Sequence, residues 1–273
     1  MRKLLFLVLF FIIAINFSVA QDLDSLLARV SNQILGSSDS CKPVFVYKVL
    51  GKSAKDGVLR YYLVLYAASY NYNGKELGLC SGYSDAAVLE VRGDSIKILL
   101  PAEGEDYASS IRRMFPRQLV PEVFNRYKYF KADSVEAVAD QKAMKVWHLR
   151  RVTVYMPENL NEYEKLMNQY YFEGGENPLS KVKFYPYQVL VPDTADIYRL
   201  TALAAYRQYP PFGNKRNAQI VYFEKVRDTV YILTNADIDG WAGVSNYLVK
   251  VRPIIERSLL HLRGVKAVIW RRR

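Results

Sequence analysis

The apolar residues of this chain change their period twice, and those changes limit the folds open to it. From Val44 to Leu100 they read as strands. Val44-Phe45-Val46-Tyr47-Lys48-Val49 is one. The long aromatic-rich run Leu59 to Tyr70 is a second, closed by the turn signal Asn71-Tyr72-Asn73-Gly74. Ala86 to Val91 and Ile96 to Leu100 flank Arg92-Gly93-Asp94-Ser95, a hairpin signal. After Pro101 the spacing becomes helical. Asp106 is placed to cap a helix through Met114, which Phe115-Pro116 stops. Pro121 opens a second helix to Phe130, and Asp133-Ser134-Val135-Glu136 has capping-box spacing for a third to about Met144.

Strands then begin again. Trp147 to Tyr155 reads as a strand, with His148 inside it, and Asn159 to Tyr171 as a helix. Val182 to Val191 is a further strand. Thr194 is expected to cap a helix bearing Ile197, Leu200 and Ala204, ended by Pro210-Pro211-Phe212-Gly213. Two strands follow, Ala218 to Phe223 and Thr229 to Leu233. A long helix carries Leu248, Val251, Ile255, Leu259 and Leu262 on one stripe, with Gly264 as its stop. Pro253 either kinks that helix or starts its second half. Val265 to Trp270 is the closing strand. The pattern predicts an α+β fold of two mixed domains, residues 41–144 and 145–273, each a mostly antiparallel sheet packed with helices. Residues 21–40 read as a short helix or linker, with Leu23, Leu26, Leu27, Val30 and Ile34 at helical spacing.

Residues 1–20 have the pattern of a signal peptide. Arg2-Lys3 is a positive start, Leu4 to Phe17 is almost wholly apolar, and Ser18-Val19-Ala20 fits a cleavage site. Removal would leave Gln21 first and an exported chain, periplasmic or extracellular. The apolar run is shorter than the roughly 20 residues a spanning helix needs. No later stretch is long and uncharged enough to span a bilayer. Cys41 and Cys80 are the only cysteines. In an export compartment they either close a disulfide loop of roughly 40 residues or lie separately buried, and spacing alone leaves both open.

Charge divides along the seam. Residues 21–140 hold 15 Lys/Arg and 15 Asp/Glu, whereas residues 141–273 hold 21 and 12, a net +9. Arg150, Arg151, Lys215, Arg216, Arg257, Arg263 and Lys266 are candidate binding residues there, with Trp241 among the interleaved aromatics. Charge and ring stacking suit an anionic envelope polymer or an envelope protein. Export makes nucleic acid a poor partner.

Reaction chemistry has little support. Gly82-Tyr83-Ser84-Asp85 lacks the second glycine of a nucleophile elbow. Neither His148 nor His261 has zinc spacing. Glu103, Glu105 and Asp106 cluster as glycosidase carboxylates would, yet an acidic helix start is commoner. Asn235, Asp237 and Asp239, with Gly240, have the oxygen spacing that opens a calcium loop. The twelfth position is Asn246 rather than a bidentate Glu, so a strand-to-helix turn is favoured. The residues indicate no cofactor and no catalytic set, and a secreted hydrolase acting on envelope polymer is the alternative to a binding or scaffolding protein.

Through Val152 to Pro157, Asp196 to Tyr209, Thr229 to Thr234, Ile254 to Leu259, and Gly264 to Val268, the second half resembles the GerMN domain of exported bacterial sporulation and germination proteins. The family's middle strand usually runs into an Asp and a Ser; here Asn235 to Gly243 stand in that place. The resemblance implies an exported, non-catalytic envelope domain that binds something. The first half resembles an uncharacterised accessory domain of bacterial cell-surface proteins, through Tyr61 to Tyr66, Ser81-Gly82, Ala86-Ala87-Val88 and Asp106 to Pro116. That likeness implies no function.

Overall fold

The computed structural model describes residues 23–209 and 218–271. The expected leader and its cleavage site lie outside the described residues. So do Pro210 to Gly213, Lys215 and Arg216, and Arg272-Arg273. The chain divides into two compact units at Trp147 and His148.

The first unit is built on four antiparallel strands in the order β1 (Lys42–Lys55), β2 (Val58–Tyr72), β3 (Leu77–Arg92) and β4 (Ser95–Leu99). The β3–β4 turn falls on Gly93 and Asp94, with Gly93 at φ +55°. β2 is apolar on both faces, so the sheet must be covered twice. On one face Leu63, Leu65 and Ala67 pack with Leu23, Leu27 and Val30 from α1 (residues 23–29) and the turn before α2 (Ser31–Leu35). On the other, Tyr66 and Ala68 pack with Val135, Ala139 and Ala143 of α5 (Ala132–Val146). Tyr62 and Val88 meet Ile111 of α3 (Tyr107–Met114) and Val123 of α4 (Val120–Phe124). Residues 23–35 are therefore one covering layer of the core rather than a linker. Leu27 is fully buried, a contribution of about 1.5–3 kcal/mol.

Cys41 and Cys80 form a disulfide. Its sequence cause is a β-bulge. The β2–β3 register passes from Ser69↔Ser81 to Tyr70↔Leu79, so Cys80 is the extra residue. A bulged residue is released from the ladder. Cys80 thereby meets Cys41, which immediately precedes β1. Ser81 Oγ fixes the same place by donating to Leu35 O at 3.0 Å.

Several helix ends differ from expectation. Asp106 makes no side-chain cap bond, because the chain winds through a 3-10 turn, Gly104–Asp106, before α3. The helix expected from Pro121 to Phe130 is broken at Asn125 into α4 and a 3-10 turn, Arg126–Lys128. Trp147 ends α5 instead of starting a strand, and its indole donates to Tyr70 O at 3.1 Å. His148 follows at φ +50°.

The second unit carries two small sheets where one was expected. β5 (Leu149–Pro157) pairs antiparallel with β6 (Phe184–Pro192). β7 (Ile220–Val226), β8 (Thr229–Thr234) and β9 (Ala267–Trp270) form the other, with β8 and β9 parallel. Three helices accompany them: α6 (Leu160–Glu173), α7 (Ile197–Gln208) and α8 (Val244–Leu260). Asp196, not Thr194, caps α7, accepting from Tyr198 N and Arg199 N. α8 runs through Pro253 as one helix. Three residues before Pro253, the buried Tyr163 hydroxyl donates to Lys250 O at 2.5 Å, which ties α6 to the middle of α8. Val230, Ile232, Ile254, Ile255 and Leu259 fill the core around it.

Replacing both Cys41 and Cys80 by Ser should lower the stability of the first unit by about 2–4 kcal/mol. The measurement is the urea midpoint, and an unchanged midpoint would contradict the role given to the bulge.

Candidate functional site

A cavity of about 610 Å³ lies in the first unit. Its cause is the shortness of β4. That strand pairs only with Val88 to Arg92, so β3 from Ser81 to Ala87 has no strand partner on that side among the described residues. Tyr83 and Asp85 of β3 line the opening, with Ile34 of α2, Leu100 to Gly104, Tyr107 of α3 and Arg126. Asp85 Oδ1 accepts from Tyr107 Oη at 2.6 Å and from Ala86 N at 2.7 Å. Arg126 Nε stands 3.3 Å from the same oxygen. The guanidinium lies over the rings of Tyr107 and Tyr127, at 5.3 and 5.1 Å. Tyr83 donates to Ala86 O at 2.9 Å. Burial, then the Asp85 charge, pushes the Tyr83 phenol upward; burial, then its hydrogen bond to Asp85, does the same for Tyr107. Both remain neutral donors. The sequence reading passed over this set because Asp85 and Arg126 are far apart in the chain and match no motif.

The basic residues expected to bind are dispersed. Arg150 makes a two-point pair with Asp193, at 2.9 and 3.1 Å. Arg151 is exposed on β5. Arg257 is exposed on α8, with its guanidinium 5.7 Å from the Phe184 ring. Trp241 is half-buried, 5.8 Å from the Tyr247 ring, and packs on the core. It precedes α8, whereas Arg263 and Lys266 follow it. Seventeen helical residues, about 25 Å, separate those ends. The six of these residues that are described are thus not one patch.

One part of the set does converge. Lys225 Nζ lies 4.8 Å over the Tyr198 ring and donates to Arg227 O at 2.5 Å. The Tyr198 hydroxyl donates to Arg263 O at 3.1 Å. Lys266 pairs with Asp228 at 3.2 Å, and that ammonium holds the Asp228 carboxyl below its ordinary range. The start of α7, the β7–β8 turn and the segment after α8 therefore bring Lys225, Arg227, Arg263 and Lys266 to one end of the unit. Arg227 occupies the turn at φ +53° and is exposed. Sequence reasoning named Arg263 and Lys266 and missed Lys225 and Arg227.

The calcium-like loop is used internally. Asp237 Oδ1 accepts from Arg252 at 2.6 Å, and Oδ2 accepts from Thr234 N at 2.7 Å and Thr234 Oγ1 at 2.6 Å. Asn235 Oδ1 accepts from Tyr206 Oη and Gln219 N. The oxygens a cation would need are already engaged, in keeping with a strand-to-helix turn. Both histidines have structural contacts: His148 O accepts from Asp193 N, and the His261 ring stacks on Tyr155 at 3.6 Å.

Arg252 also lies 4.9 Å over the Trp270 ring, and Trp270 Nε1 donates to Glu256. Burial raises the Glu256 carboxyl above its ordinary value, against the Trp270 hydrogen bond and the Arg252 charge. No helix among the described residues is long and apolar enough to cross a membrane. No family model, curated protein or solved structure matches this chain.

Asp237→Ala should cost about 1–3 kcal/mol by leaving the Thr234 amide and Arg252 without their acceptor. Calcium and a chelator should both leave the melting temperature of the wild type unchanged, and a calcium-dependent rise would contradict the internal role of the loop. Because the folded Glu256 carboxyl is raised, its stabilising contribution is complete below the unfolded value and is lost as pH rises through the folded one. Glu256→Gln should therefore gain melting temperature relative to wild type between pH 4 and pH 8. A constant difference would contradict the burial effect.

Proposed function

We propose that the protein is an exported cell-envelope binding or scaffolding protein whose second unit contacts an anionic envelope polymer. The observation that carries this reading is the basic end described above. Lys225 lies over the Tyr198 ring, whose hydroxyl bonds the Arg263 carbonyl; Arg227 follows in the β7–β8 turn, and Lys266 pairs with Asp228 of that turn. Cations that share one end of a unit add their fields, and exposed charges of this kind attract a polyanion in a salt-sensitive way. The net +9 of residues 141–273 supports the same partner. The Cys41–Cys80 bridge suits an oxidising export compartment. The GerMN resemblance adds an envelope setting and a non-catalytic role. The same exposed end would equally accept an acidic envelope protein.

One observation favours the rival reading, a secreted hydrolase acting on envelope polymer: Asp85 and Glu103 line the same cavity. Both carboxylates belong to the first unit, whereas the net charge that recommends a polyanion belongs to residues 141–273. Asp85 Oδ1 also accepts from Tyr107 and Ala86 N and faces Arg126, so that oxygen is already engaged within the unit.

Co-sedimentation with purified bacterial cell-wall polymer distinguishes these readings. Retention should be strong at low salt and fall steeply as salt rises. Arg227→Glu combined with Arg263→Glu should reduce low-salt retention by about tenfold or more, as reversed charges repel the polymer. Retention equal in both salts, or indifferent to the double reversal, would overturn the basic-end reading. Release of soluble fragments would replace it with a hydrolase.

A further inference from the structure

We infer that the cavity of the first unit is a binding site for a neutral saccharide, independent of the basic end of the second unit. The cavity arises where β3 extends past β4, so one wall is strand and the others are helix ends and a loop. At about 610 Å³ it falls within the ~300–1,000 Å³ span of small-molecule sites.

Its chemistry narrows the ligand class. Arg126 offers a planar fork of donors, and Asp85 and Glu103 offer planar acceptors. A hydroxyl both donates and accepts, so a polyhydroxylated ring can use both kinds of group at once. One cation against two carboxylates leaves the cavity without the positive excess that an anionic ligand would need. Asp85 and Arg126 already neutralise each other in part, so a cationic ligand gains little. Between these polar groups lie Tyr83, Tyr107, Leu100 and Pro101, which suit the apolar C–H face of a sugar.

The polar groups are also held in advance. Tyr107 Oη and Ala86 N fix Asp85 Oδ1, while Asp85 Oδ2 has no hydrogen-bond partner among the described residues. Arg126 is held by Asp85 and by the rings of Tyr107 and Tyr127, and its Nη groups donate no hydrogen bond to a described residue. A site whose donors and acceptors are positioned before the ligand arrives loses less freedom on binding.

The test is titration calorimetry of the full chain with cellotetraose, chitotetraose, maltotetraose and mannotriose, with a galacturonate oligomer as the anionic comparator. At least one neutral oligosaccharide should bind. Arg126→Gln should weaken that binding by about tenfold or more, the loss expected for hydrogen bonds to a charged group. Glu103→Gln, at an exposed rim position, keeps the test independent of folding and should weaken the same sugar in the same direction. Retention on cell-wall polymer should survive Arg126→Gln, which separates this site from the basic end. Absence of binding by every neutral sugar would overturn the inference, as would binding that survives both substitutions or a preference for the galacturonate oligomer.

Discussion

A strand that is apolar on both faces has to be covered twice, and β2 imposes that condition on the first unit. Leu63, Leu65 and Ala67 need one cover; Tyr62, Tyr66 and Ala68 need another. The chain supplies the first from residues 23–35 and the second from α3, α4 and α5. The disulfide follows from the same sheet, since the bulge at Cys80 brings it to the start of β1. So does the cavity, since β4 covers only part of β3 and leaves Tyr83 and Asp85 beside an open edge.

The second unit solves a different problem. Its strands are short and fall into two sheets, and α7 and α8 both pack against strands of each sheet. α8 packs Val251, Ile254, Ile255 and Leu259 into one core, and Ser258 reaches across to accept from Tyr155 N at 2.8 Å. Pro253 lies inside the helix, and Tyr163 of α6 donates to Lys250 O three residues before it. Because α8 is long, the loops at its two ends are far apart. That separation sorts the unit's aromatic and basic residues. Trp241 stays with the core near the helix start, and Arg263 and Lys266 join Lys225 and Arg227 beyond its end.

Much of the fold was legible in the sequence because period reports burial directly. The α+β class, the helical stretch after Pro101 and the order of elements after His148 could all be read from spacing. The misses share physical causes. The first half of β3 contains Gly78, Ser81, Gly82 and Ser84, small and polar residues that give no alternation, yet its neighbour β2 supplies the ladder. Residues 21–40 read as a short helix or linker; the spacing gave the helix, but an amphipathic helix does not announce what it covers. Asp196 displaced Thr194 as a cap by a shift of two residues, within the usual uncertainty of helix ends. The site was less legible than the fold. Net charge located a basic second half, but only tertiary structure separates Arg150, paired with Asp193, from Arg263 beside Tyr198. The Asp85–Tyr107–Arg126 set joins residues from three elements, and no local pattern marks it.

The central claim is that the second unit meets its partner through the end formed by the start of α7, the β7–β8 turn and the segment after α8. Hydrogen exchange of the intact chain with and without purified anionic cell-wall polymer tests it most directly. Slowed exchange should concentrate at residues 225–229 and 261–267, fade at high salt, and leave Asn235 to Gly243 unchanged. Protection confined to the first unit, or none at low salt, would contradict the claim.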